Sequence, residues 1–329
     1  MQLMMACASH SPLMYLTTSE PDLLRRARGT LAALQHQIEA FDPQLVVLFG
    51  CDHYGGQQMF SMPAFCIGVE ATALADVGGT AGKLNVPREI AVAAVKALRK
   101  SDVDVAVSYD MNVDHGFSQM LTETTGAVDR YPVLPIFVSC LQPPYVPFKR
   151  ARALGTAMAS YIASLDLDRV LILGTGGLSH NPSVFFPPID AVSEEWRPYV
   201  LNGPRQNEVP QQAWIDYEIA AHTQAAQMLA VAEVPLQFLS IHEDWDREFL
   251  DLLCTGELAD FNSWEPETIV ADHGIGAMEI LTWVAAAQCL QAAAGTRPHV
   301  AFHAGIREIG ISFGVVEAAP ALVTLGQGE

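Results

Sequence analysis

Leu45-Val46-Val47-Leu48-Phe49-Gly50-Cys51-Asp52-His53-Tyr54 sets six apolar side chains in seven positions, followed at once by two titratable ones. The run is rich in β-branched and aromatic residues and is entered through Asp42-Pro43. It predicts a strand buried on both faces, which belongs in the middle of a sheet. Because it stops on Asp-His-Tyr-Gly-Gly, a carboxylate and an imidazole are delivered at the strand's carboxyl end, where open α/β sheets hold their ligands. The pattern recurs three times. Met4-Met5-Ala6-Cys7-Ala8 ends on Ser9-His10-Ser11-Pro12, and residues 103–109 lead into Val113-Asp114-His115-Gly116-Phe117. Val170-Leu171-Ile172-Leu173 leads into Gly174-Thr175-Gly176-Gly177-Leu178-Ser179-His180. Four apolar strands, each delivering one histidine, are expected to gather around one crevice.

Between these strands lie stretches with an apolar stripe at helical spacing, over 21–41, 88–100, 118–127 and 149–164. Alternating strand and helix predicts an α/β fold with a mostly parallel central sheet, helices on both faces, and the active site at the carboxyl ends of the strands. Residues 65–69 and 132–138 add strands, and Pro135 places the second of these at an edge or bulge. Beyond Pro182 the character changes to an irregular, Pro-rich passage over 185–210. Helices follow over 211–232, 245–254 and 276–294, then short strands over 300–323 that close the sheet. The expectation is one domain over 1–329, more helical from about residue 211.

The formal charge of −19, with four lysines, excludes binding to phosphate backbones and to anionic membranes. Six scattered cysteines without a CxxC pair fit a reduced, cytoplasmic protein. Met-Gln-Leu-Met-Met at the start lacks a basic flank, and the apolar runs are strand-length or broken by Glu and Gln, so neither signal peptide nor membrane span is expected.

Glu279 is the one Asp, Glu, Lys or Arg between Asp272 and Arg297, inside a helix too apolar around its circumference to be exposed. A buried carboxylate without a partner is costly. Protonation, an arginine such as Arg307, or a metal would each relieve it. With the imidazoles of His10 and His53, Glu279 would make two nitrogens and one oxygen, the facial triad that leaves three positions open on octahedral Fe(II). The other conspicuous residues have plainer readings. His36 and His222 are expected to be solvated on helices, and His242-Glu243-Asp244 reads as a helix start with acids near the positive end of the dipole. His273, His299 and His303 are expected to be satisfied surface or core histidines, with a place beside the pocket as the alternative. Cys51 is expected to pack, Asp114 to support His115 at most, and Gly174-Thr175-Gly176-Gly177 to form a tight turn that aims His180. Val184, Phe185 and Phe186, directly after His180, predict an apolar wall beside a substrate ring.

In order over nearly the whole chain, Ser9-His10-Ser11-Pro12, Asp52-His53-Tyr54, Val113-Asp114-His115-Gly116-Phe117, Gly174-Thr175-Gly176-Gly177-Leu178-Ser179-His180 and Glu279-Ile280-Leu281-Thr282-Trp283-Val284-Ala285-Ala286 resemble the class III extradiol ring-cleavage dioxygenases. Within that family they are most similar to the bacterial branch acting on 2,3-dihydroxyphenylpropionate. The resemblance implies Fe(2+) held by His10, His53 and Glu279, with His180 as base and His115 as acid. It further implies a 3-substituted catechol and O2 as substrates, a hydroxymuconic semialdehyde type product, and a homo-oligomer. A zinc-dependent hydrolase on the same three ligands is the alternative enzyme. A non-catalytic scaffold of the same fold is a third reading, against which the presence of all five residues stands.

Overall fold

The computed structural model describes residues 1–206, 209–231 and 234–324. Its strands, among the described residues, are β1 (Gln2–Ala8), β2 (Leu45–Gly50), β3 (Phe65–Gly68), β4 (Ala71–Ala73), β5 (Gly82–Lys83), β6 (Ala106–Ser108), β7 (Met111–Val113), β8 (Val133–Val138), β9 (Arg169–Thr175), β10 (His299–Ile306) and β11 (Ile311–Leu322). Eight of them form one sheet in the order β10-β11-β1-β9-β2-β8-β3-β6, and β5-β4-β7 form a second, small one. The centre of the large sheet, β1-β9-β2-β8, is parallel. Antiparallel pairs flank it, β11 on β1 and β10 on one side and β3 on β8 on the other.

The strand alternation sorts two apolar layers. Leu3, Met5, Cys7, Leu45, Val47 and Phe49 face a core shared with the helices Arg88–Lys100, Phe148–Ala163 and Ile280–Ala294. Met4, Ala6, Ala8, Val46 and Leu48 face the other, against Asp22–Phe41 and His115–Thr125. Every residue of β2 is buried, as a strand covered on both faces requires. Ile275–Ala294, long and apolar enough to cross a membrane, is mostly buried here and packs on Phe148–Ala163 and β9.

Several expectations are corrected. The proline-bearing strand β8 lies inside the sheet, between β2 and β3. Pro135 is accommodated because the β3 ladder stops at Ile136, and Gly68 lies opposite with its missing side chain over the proline ring. The strand expected over 103–109 shrinks to β6 at the sheet's rim, and His115 is instead delivered by β7 of the small sheet. The last two strands form an antiparallel hairpin added at one edge beside β1, so they extend the sheet rather than close it. Glu279 ends a 3-10 turn, Ile275–Glu279, immediately before the helix Ile280–Ala294, and is therefore at its entrance rather than inside it. The helix after Asp114 begins at His115, three residues earlier than expected, because the Asp114 carboxylate caps it by accepting the Gly116 N–H. The helix expected over 211–232 spans Gln211–Val231, and its expected last residue, like residues 207–208 of the irregular passage, lies outside the described residues. That passage also holds a short helix, Arg197–Asn202, and Pro266–His273 is a helix the sequence reading did not anticipate.

Candidate active site

Three of the four histidines have one ring nitrogen bonded to a partner that leaves the other for the centre, and the fourth, His53, is anchored through its backbone N–H with Asp114 beside its ring. His10 follows β1 by two residues, and its Nδ1 lies 2.8 Å from Oγ1 of Thr175, the last residue of β9. A tautomer protonated on Nδ1 donates there and leaves the Nε2 lone pair free, the arrangement that orients metal-binding imidazoles. His53 follows β2 on a turn shaped by Asp52, whose carboxylate accepts the Gly56 and Gln57 N–H groups at 2.9 and 3.0 Å. The His53 N–H donates to the Asp114 carboxylate, and its Nδ1 lies 3.5 Å from the same group. His115 packs its ring on His53, centroids 4.2 Å apart, and its Nδ1 sits 2.5 Å from Asp76 Oδ2. His180 Nδ1 is 2.9 Å from the Leu178 carbonyl oxygen, which can only accept, so Nδ1 carries the hydrogen. A ring protonated on Nδ1 alone presents its lone pair at Nε2. A Cβ on Gly177 or on Gly276 would stand 2.1 Å from the His180 ring, so these two glycines form the slot in which it lies. The glycine-rich stretch thus aims a histidine, as expected.

Glu279 closes the arrangement from the helix entrance. It is fully buried, with Oε1 3.4 Å from His53 Nε2 and 3.9 Å from His180 Nε2, and Oε2 3.9 Å from His10 Nε2. Oε2 also accepts the Gly177 N–H. Arg307 does not reach it and pairs with Glu308 instead. Ligand atoms of His10, His53, Glu279 and Cys51 all lie within 4.8 Å of one another.

Burial and charge act in opposite directions across this cluster. Burial pushes His10 down to about 3, and burial together with the neighbouring His53 pushes His115 down to about 3. Burial also disfavours charge on His53, but the Asp114 and Glu279 carboxylates outweigh it and hold that imidazole above its ordinary value. Burial alone would raise Glu279, yet the His53 hydrogen bond and the His10 and His180 rings keep its carboxyl well below the usual range. Burial and the nearby Asp114 push Asp76 up, which favours its protonated form where its Oδ2 meets His115 Nδ1. Burial, then Glu279, drives the Cys51 thiol far above its ordinary value, so it stays a protonated packing group.

The donor set suits a divalent cation. Two imidazole nitrogens and one anionic oxygen converge, the thiol beside them is kept neutral, and the buried rings of His10 and His53 flank a carboxylate that would cost several kcal/mol without a cationic partner. His10, His53 and Glu279 are the residues that could hold it.

The site opens into a cleft of about 750 Å3 with His10, His53, His115 and His180 at its floor. Val184, Phe185 and Phe186 line it as the sequence suggested, and the Phe186 ring lies 4.8 Å from His53 and 5.9 Å from His115. His222 does not behave as expected. It is buried in the cleft wall, stacked on Phe185 at 3.8 Å, with Nδ1 2.8 Å from the Glu218 carbonyl oxygen, and burial pushes it down to about 3. Its spacing from Trp214 and Glu218, four residues at a time, marked one buried helix face. His36 and His299 are exposed, His303 bonds Ser312, and His273 stacks on Trp245; none of them lines the cleft.

Three supporting acids were underweighted or missed. Asp114 holds His53 and caps the helix of His115, rather than fixing the tautomer of its neighbour. Asp76, behind His115, sits in a Gly-rich passage with no spacing that marks it. Asp246 is fully buried and accepts both the N–H and the hydroxyl of Ser179, at 2.8 and 2.7 Å, which fixes the loop before His180. Its signal was legible: it shares the apolar stripe of Phe249, Leu250 and Leu253.

Comparison with known proteins gives a consistent picture. A family profile described as the catalytic LigB subunit of aromatic ring-opening dioxygenase matches residues 4–314. The chain is 38% identical over 318 residues to the 2,3-dihydroxyphenylpropionate/2,3-dihydroxicinnamic acid 1,2-dioxygenase of Azotobacter vinelandii, covering 97% of this chain and 99% of that one. It is 36% identical over 323 residues to the protein of that name from Cupriavidus necator, 98% and 100% covered. With that from Mycolicibacterium vanbaalenii it shares 40% over 291 residues, 88% and 89% covered.

Proposed function

Because the chain belongs to the family of catalytic LigB subunits of aromatic ring-opening dioxygenases, we propose that it is an Fe(II)-dependent extradiol dioxygenase. It opens a 3-substituted catechol with O2, and both oxygen atoms end in a hydroxymuconic semialdehyde type product. The compound in the relatives' names, 2,3-dihydroxyphenylpropionate, is the reference substrate. The observation that carries this reading is the meeting of His10, His53 and a fully buried Glu279 beneath a largely apolar cleft. In this reading those three residues hold the metal, and bound Fe(II) would bring the two catechol oxygens and O2 side by side and relay electrons between them.

The remaining work falls to the chain's own groups. Thr175 fixes the His10 ring, and Asp114 anchors the His53 backbone and lies beside its Nδ1, so both rings already turn Nε2 toward Glu279. His180 takes the second phenolic proton at Nε2, the nitrogen left free by its bond to the Leu178 carbonyl. His115 returns a proton from Nε2 as the ring opens. Asp76 beneath it becomes the counter-charge while His115 holds two protons. Phe186, packed over His53 and His115, covers one side of the site and keeps water from it.

The test is turnover of a catechol panel by protein purified without air and resupplied with Fe(II). Ring-opened product should appear by its visible absorbance with one O2 consumed per catechol. Turnover without O2 would instead favour a zinc hydrolase, and full activity after exhaustive chelation would remove the metal from the reading.

A further inference from the structure

Above the histidine floor the cleft is mostly apolar, and its polar lining groups, Ser11, Asn181, Ser183, Tyr217 and Gln224, carry no charge. Its walls include Val184, Phe185 and Phe186, Met228 on the helix Gln211–Val231, Phe238 on the turn Leu236–Leu239, and Ile309. No lysine or arginine is among the described residues that line it. The cation closest in the chain to that lining, Arg307, lies 3.5 Å from Glu308. The imidazole away from the floor, His222, is buried and stacked on Phe185 with Nδ1 turned to the Glu218 carbonyl, and burial holds it down to about 3. The mouth is apolar as well: Val184, Met228 and Phe238 line the cleft and are yet 71%, 60% and 75% exposed. Single exposed apolar side chains are ordinary, but three around one opening mark a surface that receives an apolar partner. The volume, about 750 Å3, lies within the range of pockets that enclose far more than a bare catechol.

Resting on the extradiol reading above, we propose that the catechol this chain takes carries an uncharged, apolar substituent at ring position 3, an alkyl or aryl group, in place of the carboxylate-bearing side chain of 2,3-dihydroxyphenylpropionate. An apolar substituent gains by leaving water against these walls. A carboxylate there would lose its hydration with no lysine or arginine among the described lining residues to replace it, in a chain of formal charge −19.

The experiment compares 3-propylcatechol, 3-phenylcatechol, catechol and 2,3-dihydroxyphenylpropionate on the Fe(II)-loaded full chain. The propyl compound and the acid have chains of matched length that differ in the terminal group. Anaerobic calorimetry with 2-propylphenol and 3-(2-hydroxyphenyl)propionate, which lack the second hydroxyl and are not cleaved, reads binding alone. The propyl compounds should lead the acids by about tenfold or more in kcat/KM and in affinity. Met228→Lys, at an exposed helix position, should narrow both ratios at least about fivefold by setting a cation at the mouth. If the acid is turned over and bound as well as the propyl compound, the proposal falls and ring cleavage stands. If no catechol is cleaved, the extradiol reading falls, and the two phenols still decide what the cleft prefers. Ratios unchanged in Met228→Lys would show that the substituent does not lie along this wall and would overturn its placement.

Discussion

The floor of the cleft and its wall face the same ligand but are held in place by different forces. At the floor, at the ends of β1, β2, β7 and β9, each of the four histidines has a named polar partner: Thr175, Asp114, Asp76 and the Leu178 carbonyl. The wall over residues 182–239 is, among the described residues, a series of short 3-10 turns with the short helix Arg197–Asn202 and the long helix Gln211–Val231, fastened by ring contacts among Phe185, Phe186 and His222. Polar partners at fixed distances set the direction of a lone pair, which chemistry needs. Apolar contact sets only shape and area, which is enough to choose among substituents. Substitutions in the floor should therefore cost metal or rate, and those in the wall should change preference while leaving the reaction in place.

The largest effect should come from Glu279→Gln. The amide keeps the shape but removes the anion, and iron affinity should fall by more than the roughly 100-fold that losing an outer partner can cost. Metal content per chain after gel filtration, with circular dichroism to show the fold, is the measurement. Stoichiometric iron in the folded variant would remove Glu279 from the ligand set and erase the distinction between floor and wall.

Next in size, His115→Gln and His180→Gln should each lower kcat by roughly 10²–10⁴, the range for losing one positioned proton-transfer group, with iron and catechol binding retained. Asp76→Asn should move kcat in the same direction by about tenfold, since its amide cannot take up the counter-charge beneath His115. Loss of iron from either glutamine variant would mean that the histidines are not divided between holding metal and moving protons.

Phe186→Leu tests the wall. It keeps an apolar side chain but withdraws the ring from His53 and His115, and the preference for 3-substituted over unsubstituted catechol should drop by about tenfold or less. A collapse of kcat for every catechol alike would place Phe186 with the floor.

The smallest effect is on stability against pH. Burial holds His10, His115 and His222 down to about 3, whereas in the unfolded chain they titrate near 6.5. Below pH 6.5 the unfolded chain takes up protons that the folded one refuses, so stability from these groups is present above 6.5 and is lost as pH falls toward about 3. His53, held above its ordinary value by carboxylates, acts the other way. His222→Phe should shrink the fall in Tm between pH 8 and pH 5.5 by about 2 °C, the scale set by one modest free-energy change in a chain of this size. An unchanged fall would show that His222 takes up protons freely and is not sealed in the wall.

How much of this was legible in the chain can be read from particular residues. The runs ending at His10, His53 and His180 needed only local pattern, because a strand covered on both faces must be apolar throughout and the first polar residue after it marks its end. The helices Asp22–Phe41, Arg88–Lys100 and Phe148–Ala163 were marked by their stripes to within a residue or so. Glu279 stood out because one charge in a long apolar segment must find a partner. Which neighbour each strand takes was another matter. Pro135 argued for an edge, yet β8 sits between β2 and β3, since the cost of one missing N–H is smaller than the gain from covering an all-apolar strand on both sides.

The supporting acids divide along the same line. Asp246 and His222 lay on apolar stripes of their own helices, so their burial was written in the sequence although their contacts were not. Asp76 had no such mark. It meets His115 from 39 positions away, and Asp246 meets Ser179 from 67, through elements that share no local pattern. Sequence by itself determined which residues must be buried, where strands end, and hence which side chains are presented at the sheet's edge, because those follow from the period of the backbone and the hydrophobic effect. Only the tertiary structure decided which carboxylate stands behind which imidazole and that, among the described residues, no lysine or arginine lines the cleft above them, because those depend on which distant segments pack together, and neighbours along the chain do not encode that choice.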